Sequence, residues 1–551
     1  MAAQINPTIG DIAGNAQKIF IALERAQDLD ADVVLFPELT LSGYPPEDLL
    51  LDASFIDAVQ KKLKEIAPAT KGLFAVIGLP RWNETGVEKP LFNSAAIFRD
   101  GKLLGFHNKQ LLPTYDVFDE MRFFQPGDKI SIFEHMNRRI AVTICEDLWQ
   151  HSHTIGYTNY RTDPVKDLEE QEVDLILNLS ASPYYYRREK MRLHAFSQSA
   201  RSLQAPLILC NEVGANDQLV FDGHSFYLDA KGELVHMAKG FAEDEMLIDL
   251  DLRASPTPLP DRGIGDLHDA LVLGIRDYFF KQGFTKAVLG LSGGIDSAVV
   301  ACLANEALGE KHVLALSLPS RYSSPESYTD AEILANRLNM ILRKISIEPM
   351  FAASLQTLHP FFAKRPWDVA EENLQARIRG QILMAFTNKF GGLLLNTGNK
   401  SEMAMGYTTI YGDMCGGLAP LADVTKTNVY HLANYINRDK EIIPLSIIQK
   451  IPTPELKANE NYLDTLPPYD VLDPIIEDYI EERLSPQEIA EKHKLSLGFV
   501  EQLVIRMHRA EFKRRQAPIS IRVTQKAFSK GRNVPVVQHW HSGALKLPSS
   551  L

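Results

Sequence analysis

The stretch from Leu289 to Ala298, LGLSGGIDSA, constrains the fold of this chain more than any other. The residues leading into it, AVLGL, read as a strand, and those that follow, DSAVVACLANEAL, read as a helix. Two adjacent glycines between them make a turn that lets the backbone approach an anion. The helix then offers free N–H groups and the positive end of its dipole. A strand that turns directly into a helix is the repeating unit of a parallel sheet. The glycines suggest a phosphate site, but a Walker loop needs G-x-x-x-x-G-K-S/T, and here Gly294 is followed by Ile295, Asp296 and Ser297. The lysine is missing. Asp296 or Ser297 is expected to cap the helix.

The alternation continues through the second half. A helix, LHDALVLGIRDYFFKQG, precedes the loop; the strand HVLALSLPS, the helix VAEENLQARIRGQILMAFTNKFG and the strand LLLNTGN follow it. This predicts a doubly wound parallel sheet with ligands at the carboxyl ends of its strands. Two such ends carry polar groups. One is the run Gly290, Leu291, Ser292, Gly293, Gly294, Ile295, Asp296 and Ser297; the other holds Thr397, Lys400 and Glu402. Asn373 and Arg377, four apart on the long helix, are expected to point from one face toward a common ligand.

The first half is mixed α/β. Short β-rich runs such as ADVVLFPE, RIAVTICED and VDLILNLSA alternate with helices, and FRDGKLLG reads as a hairpin. Between the halves lies DLRASPTPLPDRG, with three prolines in five residues, which reads as a stiff linker. The expected organisation is a domain over 1–250, a linker over 251–265 and a domain over 266–545. The tail after Gly531 is expected to be loosely ordered.

Composition narrows the class. The 58 basic and 70 acidic residues give a net charge of −12, which argues against a nucleic-acid coat or a polybasic membrane surface. The four cysteines form no CxxC pair and no zinc spacing. The N-terminal MAAQINPTIGDIAGN has neither a basic nor an apolar leader region, and no apolar run approaches the ~20 residues that span a bilayer. A reduced, cytoplasmic protein is expected, with no membrane partner.

Three strings in the first half supply a nucleophile. VVLFPELT ends a strand at Glu38, GFHNKQLLPTYDVFDE carries Lys109, Tyr115 and Glu120, and RIAVTICEDLW puts Cys145 at a strand end. Singly, a free cysteine is usually a buried core residue, and a glutamate or lysine after a strand is usually solvated. Together they fit amide cleavage. A thiolate attacks the carbonyl carbon, Glu38 takes its proton, and Lys109 stabilises the thiolate and then the oxyanion.

Glu, Lys and Cys in this order, in F-P-E, N-K-x-x-L-P and I-C-E-D, resemble the nitrilase-type amidases over about Gln4 to Asp251. That resemblance implies a four-layer αββα sandwich. It also implies a glutamine site at Tyr115, Ser182 and Arg188, whose hydroxyl and guanidinium groups suit the α-amino and α-carboxylate groups of glutamine. The string S-G-G-x-D-S is similar to the pyrophosphate loop of the ATP-pyrophosphatase families, which cleave ATP between the α- and β-phosphates. With ENLQARIRG, NTGNKSE and LADVTKT it resembles the NAD⁺ synthetases over about Asp266 to Gln516.

By this likeness Gly290 to Ser297 and Thr397 hold ATP. Asp296 and Glu402 hold Mg²⁺, and Asn373, Glu402 and Lys513 contact deamido-NAD⁺ (nicotinic acid adenine dinucleotide). The whole implies a glutamine-dependent ligase. An amidase frees ammonia, and an ATP enzyme uses it on an adenylated nicotinate carboxylate, with a water-poor route for unprotonated ammonia. A homo-oligomer is implied as well.

Two rival readings exist. Another adenylating amidotransferase would share S-G-G-x-D-S but not NTGNKSE with ENLQARIRG. A nucleotide-binding regulator would use LSPQEIAEKHKLSLGFVEQLVIRMHRAEFKRR, which has the pattern of a helix-turn-helix ending in Lys513, Arg514 and Arg515. The acidic chain and the position of the basic residues at a helix end, where cations complement the dipole, argue against that use.

Overall fold

A computed structural model describes every residue except 87, 153–159, 253–254, 363–364, 453–454, 458–465 and 541–551. Internal contacts divide the chain into one unit over Met1–Gly263 and another over Ile264–Leu551.

The first unit contains strands β1 (Ala2–Gln4), β2 (Val33–Leu35), β3 (Phe74–Trp82), β4 (Leu91–Arg99), β5 (Lys102–Asn108), β6 (Ser131–His135) and β7 (Arg138–Ile144). It continues with β8 (Leu175–Ser180), β9 (Leu207–Asn211), β10 (Val213–Asn216), β11 (Leu219–Asp222), β12 (Phe226–Leu228), β13 (Leu234–Met237) and β14 (Asp244–Met246). They form two six-stranded sheets, β14-β1-β2-β3-β4-β5 and β13-β12-β9-β8-β7-β6, and the small hairpin β10-β11. FRDGKLLG is the turn of the β4–β5 hairpin, with Asp100 at φ 49° and Gly101 at φ 78°.

Apolar side chains alternate along these strands and fill the space between the sheets. Leu35, Val76 and Ile97 of the first sheet meet Val142, Leu177 and Ile208 of the second. Helices α1 (Ile12–Asp28) and α2 (Ala53–Ile66) cover the outer face of the first sheet. Helices α3 (Pro164–Glu169) and α4 (Arg188–Leu203) cover that of the second. The result is the αββα sandwich.

The proline-rich segment does not hang free. Thr257 donates its N–H to the Leu234 carbonyl at 2.7 Å, and Asp261 pairs with Lys190 at 2.7 Å. Its extended backbone lies along the first unit, while residues 253–254 of the expected linker fall outside the described residues. So does the last part of the tail, 541–551; before it, Arg532 pairs with Glu511 at 2.7 Å.

The second unit is built on β15 (Ala287–Gly290), β16 (Val313–Ser317), β17 (Ile341–Lys344), β18 (Leu393–Leu395), β19 (Leu418–Ala419) and β20 (Ile519–Ser520). All pair in parallel in the order β17-β16-β15-β18-β19-β20. The chain thus winds outward from β15 one way and returns to wind the other way from β18. The crevice between β15 and β18 is the topological switch point, where doubly wound sheets bind ligands.

Helices connect these strands: α5 (Ile264–Lys281), α6 (Ile295–Leu308), α7 (Pro325–Arg337), α8 (Glu348–Phe362), α9 (Val369–Phe390), α10 (Lys400–Met405), α11 (Lys426–Ile436) and α12 (Leu445–Gln449). A helical cap follows, with α13 (Tyr469–Ile480), α14 (Pro486–His493), α15 (Leu497–Arg509) and α16 (Glu511–Arg514). Its apolar faces close on one another through Ile476, Ile489, Val504 and Met507. Two of the three basic residues that end the helix-turn-helix-like stretch face inward, Arg515 being exposed: Lys513 Nζ donates to the Gly406 and Thr408 carbonyls at 2.8 and 2.7 Å. Arg514 is buried against Glu511 at 2.8 Å. Among the described residues no helix is long and apolar enough to cross a membrane.

Candidate active sites

Glu38 and Lys109 follow strands of the first sheet of the sandwich, and Cys145 follows β7 of the second. The structure brings them into one buried cluster. Lys109 Nζ donates to Glu38 Oε1 at 2.6 Å and to Glu120 Oε1 at 2.8 Å, and both glutamates and the lysine are inaccessible to solvent. Asn93 and the Ala181 N–H also donate to Glu38, at 2.7 and 3.2 Å, and Tyr44 donates to Glu120 at 2.9 Å. Cys145 sits at φ 41°, the sharp corner that takes the chain out of β7 into a short 3-10 turn.

The electrostatics follow from burial. Burial pushes the Cys145 thiol up and the nearby Glu38 raises it further, against the pull of Lys109, so the resting group is a thiol. Burial also opposes charge on Lys109, but Glu120 and Glu38 outweigh it and hold the ammonium well above its ordinary range. Glu120 rises to about 7 through burial, with Lys109 pulling down and Glu38 pushing up. A protonated thiol therefore sits beside two carboxyl groups that share one ammonium.

Asp147 fixes the geometry. Its buried carboxylate accepts from the N–H groups of Gln110 at 2.9 Å, Leu111 at 3.0 Å and Ile144 at 2.9 Å, with His107 Nε2 at 3.1 Å. One side chain thus binds the turn after β5, which carries Lys109, to the turn after β7, which carries Cys145.

Of the expected glutamine-site residues, Tyr115 meets Glu146, while Arg188 and Ser182 pair with each other. Tyr115 donates its hydroxyl to both Glu146 oxygens at 3.0 Å, and Tyr160 donates to Oε1 at 3.1 Å. Arg188 Nε donates to Ser182 Oγ at 3.3 Å, its guanidinium lying 4.9 Å from the Trp149 ring and 4.8 Å from that of Tyr185. Sequence reasoning missed Glu146, although I-C-E-D contains it, because a single glutamate beside a nucleophile carries no spacing signal. Tyr160 has no sequence signal at all.

In the second unit a cavity of about 360 Å³ opens at the switch point. Gly290 to Ser297, Thr397 and Glu402 all line it. Gly293 needs its residue type: φ is 82°, and a Cβ there would overlap the Ser327 carbonyl group. The expectation that Asp296 or Ser297 caps α6 is not met. The N-cap is Gly294, with no side-chain bond. Asp296 is drawn away by Lys426 and by Asn399 Nδ2 at 3.0 Å, and Ser297 Oγ donates to the Gly294 carbonyl at 2.9 Å. The first-turn amides are thereby left for a ligand.

Lys400 is also corrected. Two helical positions before Glu402, it points about 200° away around α10. There it is buried against Asp423 at 3.1 Å and Glu481 at 2.7 Å.

Asn373 and Lys513 do not line the cavity. Asn373 accepts from Thr409 Oγ1 at 2.6 Å, Arg377 Nε donates to the Ile410 carbonyl at 3.2 Å, and Lys513 holds Gly406 and Thr408. All three grip the 406–410 loop, whose Tyr407 and Thr408 form part of the wall. Cys415 lines the wall too, half-buried. Lining residues that the sequence left without a role are Arg379, Lys426 and Lys450. At this volume the cavity suits one nucleotide, near the lower end of small-molecule sites (~300–1,000 Å³).

The donor set fits Mg²⁺. Burial, and then the neighbouring Asp296, push the Glu402 carboxyl up to about 8, although Lys426 pulls it down. Two such carboxylates, with phosphate oxygens completing the shell, are the usual protein contribution to a magnesium site. Among the described residues no group of three or more His, Cys, Asp or Glu is placed to hold a metal.

Comparison with known proteins gives the following. Residues 2–255 match the family model described as carbon-nitrogen hydrolase, and residues 267–517 that described as NAD synthase. The chain is 46% identical over 553 residues to the glutamine-dependent NAD(+) synthetase of Synechocystis sp., covering 98% of each. It is 41% identical over 582 residues to that of Thermotoga maritima, again covering 98% of each. Among solved structures it resembles the glutamine-dependent NAD+ synthetase of Acinetobacter baumannii in complex with adenosine diphosphate. That match has 38% identity and a TM-score of 0.77, covering 98% of this chain and 99% of that one.

Proposed function

The chain belongs to the glutamine-dependent NAD⁺ synthetases, and from that premise we propose which of its residues perform each half of the reaction. Residues 1–250 are the glutamine amidase, 251–265 the connecting segment and 266–545 the synthetase. Glu38 takes the proton of Cys145, and the thiolate attacks the side-chain amide carbon of glutamine. Lys109 stabilises the tetrahedral oxyanion. Ammonia leaves, and water hydrolyses the thioester to glutamate. Tyr115, Glu146, Ser182 and Arg188 bind the glutamine.

In the synthetase, Gly290 to Ser297 and Thr397 bind ATP. Deamido-NAD⁺ is bound by Glu402 at the cavity and by Asn373 and Lys513 through the 406–410 loop that forms part of its wall; its nicotinate carboxylate attacks the α-phosphorus, and pyrophosphate leaves. Ammonia then displaces AMP to form the nicotinamide. Asp296 and Glu402 would hold Mg²⁺, which when bound neutralises phosphate charge. The absent Walker lysine is consistent with cleavage between the α- and β-phosphates, where no γ-phosphoryl group is transferred.

The observation that carries this reading is the buried cluster in which Lys109 is shared by two glutamates beside Cys145. The test is Cys145→Ala. Glutamine-driven synthesis should vanish while ammonium-driven synthesis persists; loss of neither, or of both, contradicts the assignment.

The enzyme is placed in the cytoplasm, since it needs free ATP and a reduced thiol. A homo-oligomer is supported by the exposed apolar side chains Phe361, Val369 and Phe390 and is tested by sedimentation. Nucleic acid has no part in this reading, because the chain carries a net charge of −12 and Arg514 is spent on internal contacts.

A further inference from the structure

Asn93, in the amidase cluster, has no role in the reaction just described. It lies within β4, away from the strand ends that carry Glu38, Lys109 and Cys145, and it is 1% exposed. Its Nδ2 donates to Glu38 Oε1 at 2.7 Å and to Glu120 Oε2 at 3.3 Å. Its backbone carbonyl accepts the Lys109 N–H at 2.9 Å. Chemistry fixes the orientation of the amide: turned over, its oxygen would face two carboxylate oxygens. The oxygen instead points away, buried and without a protein partner. The donor end alone therefore holds the side chain in place.

The charge balance shows why a neutral donor belongs here. Two carboxylates share one ammonium, so with both ionised the cluster carries one excess negative charge in a dry site. The other groups facing the pair are the Tyr44 hydroxyl on Glu120, the Ala181 N–H on Glu38 and the thiol of Cys145. Besides Lys109, Asn93 alone among the described residues donates to both glutamates, giving one hydrogen to each without changing the charge. A second cation would compete with Lys109 for the oxyanion. A water would not be fixed in direction.

We propose that Asn93 is a positioning residue of the amidase site, whose amide group holds Glu38 and Glu120 apart and aims Glu38 to accept the proton of Cys145. This rests on the assignment of Cys145, Glu38 and Lys109 made above. Asn93 acts through the glutamates and touches no reacting atom.

Two variants of the full-length enzyme test it. Asn93→Asp keeps the shape but replaces the donors with a third carboxyl group; Asn93→Ser keeps one weaker donor. In Asn93→Asp the kcat for glutamine hydrolysis should fall by about 10²–10³-fold, as for loss of a catalytic-site donor, with little change in KM. The acid limb of the pH profile should move up by about one unit, as carboxylates lose a donor and gain a like charge. Asn93→Ser should lie between it and the parent. Ammonium-driven synthesis should stay at the parent level in both.

An unshifted acid limb overturns the proposal, whatever the rate. So does loss of ammonium-driven synthesis in both variants, which would mark Asn93 as structural. Cys145→Ala run alongside separates the two levels. If that variant still uses glutamine, the amidase assignment itself fails; if it does not while Asn93→Asp does, only the role of Asn93 fails.

Discussion

Replacing Gly293 with alanine should silence the synthetase while leaving the amidase intact. The residue has φ 82°, and a Cβ placed on it would overlap the Ser327 carbonyl oxygen and come within 2.8 Å of its carbonyl carbon and Cα. The left-handed backbone alone costs an L-residue about 1–2 kcal/mol, a factor of roughly 5–30. The clash adds to this, because the neighbour is backbone at the first turn of α7, where the Ser327 N–H is already held by Ser324 Oγ at 3.2 Å. The helix cannot yield cheaply, so the loop must move. A displacement near 1 Å at a reacting group costs on the order of 10²-fold.

Ammonium-driven kcat/KM for ATP should therefore drop by at least about 10²-fold, or roughly 2.7 kcal/mol of transition-state binding. Glutamate release from glutamine should be unchanged. Gly294 is the control: it lacks a positive φ, and the nearest atom to an added Cβ is the Ser292 hydroxyl at 3.3 Å. Gly294→Ala should be clearly milder. Parent-level ammonium-driven synthesis by Gly293→Ala, or equal losses in the two variants, would refute the reasoning.

Other expectations follow from the same geometry. Lys109→Met leaves two buried glutamates without their cation and should lower glutamine hydrolysis by about 10²–10³-fold, measured as glutamate release. It should also destabilise the first unit by about 3–5 kcal/mol, measured by urea unfolding of the full chain. Asp147→Ala strands three buried N–H groups at about 1–3 kcal/mol each. It should lower the unfolding midpoint and abolish glutamine use, with ammonium-driven synthesis surviving below that midpoint.

His268 makes a pH-dependent contribution. Burial opposes its charge, but Asp269 and Glu306 prevail and raise it to about 9. A raised pKa in the folded state stabilises most below the unfolded value of about 6.5 and progressively less as pH rises through about 9. The unfolding midpoint of His268→Gln should thus fall below the parent at pH 6 and converge with it by pH 10. A constant difference would show that the ion pairs do not matter.

The proposed catalytic groups were legible in the sequence where they stand at strand ends inside short fixed strings. Glu38, Lys109 and Cys145 each close such a string, as do Asp296 and Thr397. Groups that come from strand interiors were not legible: Asn93 reads as one polar residue within a strand, and its contact with Glu38 spans 55 positions. Lys400 was placed at the ligand because it follows a strand, but a rotation of two residues on α10 sends it to Asp423 instead. The expected cap of α6 failed for a related reason, since Lys426, 130 positions away, claims Asp296.

By itself the sequence determined the two α/β units and the glycine turn between β15 and α6, because periodicity, glycine placement and strand termini are local properties of the chain. Tertiary structure alone decided which carboxylate meets which cation: the sharing of Lys109 by Glu38 and Glu120, the binding of both catalytic turns by Asp147, and the strand order that opens the crevice between β15 and β18. Those pairings depend on how sheets stack and in what order their strands associate. In a dry interior each buried charge must find a partner, and the fold decides which one is within reach.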